Sequence, residues 1–229
     1  MRVKIISWNI WIDGNFDKIS VFLRRANADI IGLQEVKNDD PERKIIEFLT
    51  GLGYQYVFAP IEKSWSGRKY NDGPAIFSKY PIITSEKYIL SETKSRMAVK
   101  ADIEINNVKL HIFNTHLLHV HQKESDIQNE QVSALIKVLP VDRTIVMGDF
   151  NATPESTVIR EMKTALIDTD PASSPTWSVY PAGCDECNPQ AMDTKLDYIF
   201  KTKDIKTDSF EVRKSEGSDH LPISVLVEI

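Results

Sequence analysis

The chain has 229 residues, a formal charge of −5, and 41% apolar against 27% charged residues, which is ordinary globular composition and excludes a disordered or fibrous protein. No apolar run approaches the roughly 20 residues of a membrane helix, and the alternating start Met1-Arg2-Val3-Lys4-Ile5-Ile6 has no signal-peptide pattern, so the sequence predicts a soluble, cytoplasmic protein without membrane insertion. The acidic balance argues against coating of nucleic acid by bulk charge but leaves room for a local basic groove.

In chain order, the apolar run 2–8 reads as a strand and is followed by a helix over Asp17 to Ala28, where Ile19, Phe22, Leu23 and Ala26 share one face. A strand at 29–35 precedes a second helix, which the sequence starts at Asp40-Pro41, lines with Ile45, Ile46, Leu49 and Leu52, and stops at Gly51-Leu52-Gly53. Strands follow at 54–59 and 74–78, with the intervening Lys63, Trp65, Arg68, Lys69 and Tyr70 read as a loop and Lys94 with Arg96 as the next one. Val99, Ala101, Ile103 and Ile105 alternate with charged residues up to Asn106-Asn107, and Val108, Leu110 and Ile112 alternate after it, the pattern of a hairpin with one buried face. The capping box Ser125-Asp126-Ile127-Gln128 opens a third helix through Val132, Leu135, Ile136 and Leu139 to Pro140. A strand at 143–148, a fourth helix after Thr153-Pro154 through Val158, Met162 and Ala165, and strands at 196–201, 206–213 and 221–228 complete the chain. About ten strands exceed what one twisted open sheet holds, which predicts an α/β (α+β) domain over 1–229 with two packed sheets and the helices outside.

Polar, ligand-type side chains collect at strand ends. Asn9, Glu35, His116, and Asp149 with Asn151 each follow an apolar run, whereas Asp197 and Asp219-His220 each precede one. If the second group pairs antiparallel to the first, all of them meet at one edge. Carboxylates and amides without cysteine suit a hard cation such as Mg²⁺, which takes one or two carboxylates together with substrate phosphate oxygens and water. Two histidines add acid or base groups near neutrality. Taken singly, each residue reads more readily as a turn, a cap, a solvated strand end or a hydrogen-bonded structural histidine; the joint pattern points to metal-assisted hydrolysis of a phosphate ester. Cys184 and Cys187 are too few for a disulfide scaffold or a self-contained four-ligand zinc site, and read as two thiols in a Pro/Gly/Asp-rich surface loop. His119 and His121 follow His116 closely enough to raise a zinc cluster, but with no cysteine or acid at ligand spacing they read as loop histidines at the cleft edge.

The segments Ser7-Trp8-Asn9-Ile10, Ile31-Gly32-Leu33-Gln34-Glu35-Val36, Gly73-Pro74-Ala75-Ile76-Phe77-Ser78, Asn114-Thr115-His116-Leu117, Gly148-Asp149-Phe150-Asn151, Leu196-Asp197-Tyr198-Ile199 and Ser218-Asp219-His220 together resemble, in order, the motifs of the endonuclease/exonuclease/phosphatase superfamily, the deoxyribonuclease I-like phosphoesterases. The resemblance implies a four-layer α/β/β/α sandwich with two packed mixed β-sheets and a Mg²⁺- or Mn²⁺-dependent phosphodiesterase. It implies Glu35 as principal metal ligand with Asn9 and Asp219 nearby, and Asp149 and Asn151 as the pair that orients and activates water. His220, supported by Asp197, would contact the phosphate or act as base, and His116 would bind a phosphate oxygen or protonate the leaving group.

No tyrosine occurs between Tyr88 and Tyr180, which disfavours the abasic-site endonuclease branch. Thr176-Trp177 and Ser7-Trp8-Asn9-Ile10 resemble the tyrosyl-DNA phosphodiesterases of the second type, so the reading leans to a nuclease or a 5′-end-processing DNA-repair enzyme. Arg68, Lys69, Arg96 and Trp177 are the expected substrate contacts, with DNA ends or single-stranded segments as the partner of a monomer. The same chemistry on a phospholipid head group or a small phosphorylated metabolite is the alternative, and a non-enzymatic binding module is the third.

Overall fold

Asn106 and Asn107 both adopt left-handed backbone conformations, with φ of 50° and 62°, and close the hairpin that the alternation predicts. The structure is a computed structural model that describes residues 1–38, 40, 42–65, 68–92, 96–180, 184 and 186–229; the side chains of 63–65, 68 and 70 lie outside that description. The first half of the chain runs β1 (Arg2–Asn9), α1 (Phe16–Ala26), β2 (Ile30–Lys37), α2 (Ile45–Gly51), β3 (Gln55–Phe58), β4 (Ile61–Trp65), β5 (Arg68–Ser78) and β6 (Ile82–Ser91). The second runs β7 (Arg96–Ile105), β8 (Val108–His116), α3 (Asp126–Lys137), β9 (Thr144–Asp149), α4 (Thr157–Ala165), β10 (Ile167–Asp168), β11 (Asp197–Lys201), β12 (Lys206–Val212) and β13 (Ile223–Glu228). None of the described helices is long and apolar enough to cross a membrane.

One sheet has the order β12-β13-β1-β2-β5-β3, with β4 hydrogen-bonded to β5, and the other has β10-β11-β9-β8-β7-β6. Val3, Ile5, Ile30 and Ile76 of the first pack against Val99, Ala101, Ile103, Ile112, Ile145, Met147 and Ile199 of the second, forming the core between the sheets. The alternate residues Ile6, Trp8, Ile31, Leu33 and Phe77 face Ile19, Leu23, Ile45 and Leu49 of α1 and α2. Phe113, Val146, Tyr198 and Phe200 face Val132, Leu135, Val158, Ile159 and Met162 of α3 and α4. Central strands covered on both faces must be apolar throughout, which is why β1, β2 and β9 read as continuous runs. Each such side chain removed from water contributes about 1.5–3 kcal/mol before entropic costs. At Gly32 the opposite sheet comes close enough that a Cβ would stand 2.5 Å from Met147 Cε.

The two mixed sheets and outer helices are the sandwich expected. Four details differ. Helix α2 begins at Ile45 rather than Asp40, because Arg43 is buried and its guanidinium donates to Ile10 O at 3.2 Å and also to Ile12 O; Pro41 lies outside the described residues. Helix α4 begins only at Thr157, where Ser156 caps Ile159 N. Of the segments read as loops, Lys63 to Trp65 and Arg68 to Tyr70 are paired ends of β4 and β5 and Arg96 opens β7, while Lys94 lies outside the described residues. Strand β6 escaped the reading because it is an edge strand whose residues 83–87 are all exposed, so no burial alternation marks it.

Candidate active site

The register of the sheets gathers the polar strand ends. Strand β13 runs antiparallel to β1, and β11 antiparallel to β9 with Asp197 opposite Asp149. Strands β8 and β9 run parallel with His116 beside Asp149. The C-terminal ends of β1, β2, β8 and β9 therefore meet the starts of β11 and β13 at one edge of both sheets, as the strand-end pattern requires.

Glu35 reaches this edge through a backbone irregularity. Leu33 pairs with Ala75 but Val36 pairs with Gly73, so β2 carries one extra residue against β5, and Glu35 sits in it at φ 60°. Such a bulge re-aims a side chain, and a non-glycine residue held there costs about 1–2 kcal/mol of backbone strain. Its carboxylate accepts from Asn9 Nδ2 at 3.1 Å and from Ile12 N at 2.5 Å. The irregular ladder is completed from the opposite sheet: buried Asn114 Nδ2 donates to Leu33 O and Ala75 O, both at 2.8 Å, and its Oδ1 accepts from Gln34 Nε2 at 2.7 Å. Asn114 and Gln34 stand in the motif segments, where the sequence assigns them no role. The signal that marks them is an amide at the core-facing position of an otherwise apolar strand, where burial requires a partner.

Asp149 lies at the centre. Gly148 precedes it at φ 150°, and a Cβ there would fall 2.0 Å from Thr115 O, so glycine alone lets β9 lie close enough to β8. Asp149 Oδ2 accepts from Asn9 Nδ2 at 3.0 Å, and lies 3.5 Å from His116 Nε2 and 3.7 Å from His220 Nε2. Its Oδ1 accepts from Asn151 N at 2.8 Å. Asn151, at φ 49°, donates from Nδ2 to Leu117 O at 3.1 Å; asparagine is among the residues that tolerate this conformation best. On the far side of His220, Nδ1 is 2.8 Å from Asp197 Oδ2. Asp197 is fixed in turn by Thr176 Oγ1, which accepts from the backbone N of Leu196 and of Asp197 at 3.1 and 3.2 Å.

Electrostatics follow from burial. Desolvation raises the Asp149 carboxyl above its ordinary range and Asp197 adds to this, while His220 and the hydrogen bonds from Asn9 and Asn151 oppose it. For His220 burial works against the charge, yet the carboxylates of Asp197, Asp149 and Asp219 outweigh it and hold the imidazole well above its usual value.

Asp219 is held next to this group. Its Oδ2 accepts from Trp177 Nε1 at 3.2 Å, Ser218 Oγ is fixed on Asn9 O at 2.7 Å, and Trp8 Nε1 donates to His220 O at 2.9 Å. Asn9, Glu35, His116, Asp149, Asn151, Asp197, Asp219 and His220 are thus assembled around one cleft. The four expected substrate contacts are placed differently from one another. Trp177 is 4% exposed and its indole is used on Asp219, so it positions that carboxylate instead of offering a face to a base. Lys69 is turned to Glu62 on the β4–β5 hairpin at 3.0 Å, and the Arg68 side chain lies outside the described residues. Arg96 lines, with His116, Ile61, Asp72, Pro74 and Met97, a small depression at the His116 end of the group.

A family model described as the endonuclease/exonuclease/phosphatase family matches residues 6–220, which span every one of these site residues. The chain belongs to that family. Its members are phosphoester hydrolases that use divalent metals, and the chain carries a buried trio of potential donors, Asp149, Asp197 and His220, whose ligand atoms lie within 4.8 Å of one another. Among solved structures, the family protein from Beutenbergia cavernae DSM 12333 aligns with 100% of this chain and 72% of its own at 18% identity and a TM-score of 0.82. ANGEL2, a 2′,3′-cyclic phosphatase, aligns over 99% and 95% at 16% identity and a TM-score of 0.78. A mannosyl-6-phosphatase of Bacteroides thetaiotaomicron VPI-5482 aligns over 99% and 100% at 16% identity and a TM-score of 0.72. At these identities the likeness establishes the fold. No curated protein sequence matches the chain.

The donor chemistry fits a hard divalent cation. Asn9, Glu35 and Asp219 present only oxygen and amide groups, and Glu35 is half-buried, within reach of solvent. In the trio, both nitrogens of His220 face carboxylates, an arrangement suited to an imidazolium rather than to a neutral metal ligand.

Proposed function

We propose that the chain is a divalent-metal-dependent phosphodiesterase, with Mg²⁺ or Mn²⁺ held by Glu35, Asn9 and Asp219, acting on the end of a nucleic-acid strand. The observation that carries the hydrolytic reading is Asp149: one carboxylate with a raised proton affinity, fixed by Asn9 and Asn151, lies within 3.7 Å of two histidine nitrogens. A group so placed takes the proton of an attacking water as oxygen attacks phosphorus and the bond to the leaving oxygen breaks. Asn151 N fixes the Asp149 carboxylate for that step. His220, oriented by Asp197, donates to a phosphate oxygen. His116 lines the depression with Arg96, so it serves the leaving-group side and returns a proton to the departing oxygen. The cation, when bound, supplies Lewis-acid stabilisation of charge on the phosphoryl and leaving oxygens.

Thr176-Trp177 and Ser7-Trp8-Asn9-Ile10 support the nucleic-acid end, with the tyrosyl-DNA phosphodiesterase branch as the finer form of this reading, although Trp177 would act there through Asp219. A small phosphate ester is the second reading. It is favoured by the single described cation, Arg96, at a small depression, and by the 2′,3′-cyclic phosphatase and mannosyl-6-phosphatase among the structural relatives.

Purified protein is assayed with Mg²⁺ or EDTA against 5′-phosphotyrosyl DNA, plain single-stranded DNA, a 2′,3′-cyclic nucleotide, a sugar phosphate, sphingomyelin and inositol phosphates. Metal-dependent cleavage of a DNA substrate supports the first reading, and turnover confined to the small esters or lipid replaces it with the second. Hydrolysis of none of them, with measurable metal binding, favours a binding module.

A further inference from the structure

Beyond the cleft, a second group of ligand-type side chains comes together from two loops distant in sequence. His119 and His121 lie between β8 and α3, and Cys184 and Cys187 lie between β10 and β11. All four are half-buried, and one ligand atom from each lies within 4.8 Å of the other three. The sequence reading, which left the histidines without cysteine partners and the thiols in a surface loop, is corrected here: separation along the chain is bridged by the packing of the two loops.

We propose that, with both cysteines reduced, these four residues form a Cys₂His₂ site for a tetrahedral divalent transition metal, Zn²⁺ by its chemistry. Zinc bonds to nitrogen at about 2.0–2.1 Å and to sulfur at about 2.3 Å, so a regular tetrahedron sets N···N near about 3.3 Å and N···S near about 3.6 Å. His119 Nε2 is 3.1 Å from His121 Nδ1. The four N···S separations are 3.8 and 3.6 Å from His119 Nε2 to Cys184 and Cys187, and 3.4 Å from His121 Nδ1 to each. Five of the six edges are therefore in place. The sixth joins the two sulfurs, which are bonded to each other in this structure. Opening that bond takes two electrons from a thiol or phosphine reductant and yields two thiols, whose protons pass to solvent as the cation binds.

The surroundings have the form of a built metal site. The second nitrogen of each imidazole is already committed: His119 Nδ1 is 2.9 Å from Asn151 Oδ1, and His121 Nε2 is 3.0 Å from Glu186 Oε2, whose other oxygen accepts from Lys123 Nζ at 2.9 Å. An N–H on those outer nitrogens leaves the inner lone pairs facing the sulfurs, the usual arrangement of metal-bound histidine. Cys187 N also donates to Cys184 Sγ at 3.1 Å, which favours a thiolate there. Two sulfurs and two imidazoles select zinc over the hard cation of the cleft. A bound ion would clamp both loops and, through His119, fix the amide of Asn151; this last consequence rests on the catalytic reading of Asn151, whereas the metal site does not.

The full chain is reduced with a phosphine reductant, stripped of metal and titrated with Co²⁺, followed by Zn²⁺. One equivalent of Co²⁺ should give a thiolate-to-metal charge-transfer band with tetrahedral d–d absorption, abolished by one equivalent of Zn²⁺ and retained in Glu35→Gln, which separates this site from the cleft. The double variant Cys184→Ser/Cys187→Ser should lose the band and bind zinc more than about 100-fold more weakly, beyond the 10- to 100-fold typical of losing an outer partner. Wild-type protein reoxidised to the disulfide should give no band, a check that does not depend on a variant folding. Absence of the band in reduced wild-type protein, its persistence after reoxidation, or equal zinc affinity in the folded double variant overturns the proposal, whatever the outcome of the substrate assays.

Discussion

The carboxylate cleft and the His/Cys group at its rim both touch Asn151, one through its backbone N on Asp149 and the other through its side-chain oxygen on His119. Their construction is opposite. Asp149, Asp197 and His220 are buried on or beside strand ends, and sheet register fixes their spacing. His119, His121, Cys184 and Cys187 are half-buried and loop-borne, held by side-chain contacts. The cleft offers oxygen donors for a hard cation and the rim offers sulfur and imidazole for a soft one, so neighbouring sites can take different metals without competing.

Metal removal is the largest perturbation that separates them. EDTA should abolish turnover and added Mg²⁺ should restore it, while Mg²⁺ should not produce or quench the cobalt signal at the rim; restoration of turnover by Zn²⁺ alone would break the distinction. Next in size, Asp149→Asn should lower kcat by about 10²–10⁴-fold, the usual contribution of a general base, with the urea midpoint nearly unchanged. A near-wild-type rate would remove Asp149 from the water-activating role.

Support of the cleft by the opposite sheet gives a smaller effect, on stability. Asn114→Leu leaves the carbonyls of Leu33 and Ala75 and the amide of Gln34 without their buried partner, each an uncompensated polar group of about 1–3 kcal/mol. A loss of at least about 2 kcal/mol is expected in urea unfolding, and an unchanged midpoint would show that the bulge at Glu35 does not need the cross-sheet bridge. The smallest effect lies away from both sites. Burial raises the Asp102 carboxyl, but His111, Thr84 and Lys100 outweigh this and hold it below 3.8. A carboxylate lowered on folding stabilises above its unfolded value and loses that contribution as pH falls through the folded one. The stability gap between wild type and Asp102→Asn should therefore close as the pH falls below 3.8; a gap that widens in acid would reverse the assignment.

Much of this architecture was legible before any coordinates. Ser125 and Gln128 announced the start of α3, where Ser125 accepts from Gln128 N, because capping is local chemistry. The hairpin at Asn106-Asn107 was legible for the same reason. The hard-donor cleft was legible because strands end in the residues they present. The edge strand β6 was not, since no burial pattern marks it, nor was the displaced start of α2, which depends on where Arg43 finds its acceptors. That the Trp177 indole meets Asp219 was not legible either, because the sequence does not say which end of an amphipathic ring finds a partner.

By itself, then, the sequence determined the alternating strands, the capped helices, and which polar residues close each run, because these depend on neighbours within a few positions and on the periods of helix and strand. Tertiary structure alone decided that Glu35 turns inward at a bulge, that Asn114 completes the opposite sheet, and that two cysteines meet two histidines more than sixty positions away. Such contacts are set by the approach of surfaces distant along the chain, and no local period or cap records them.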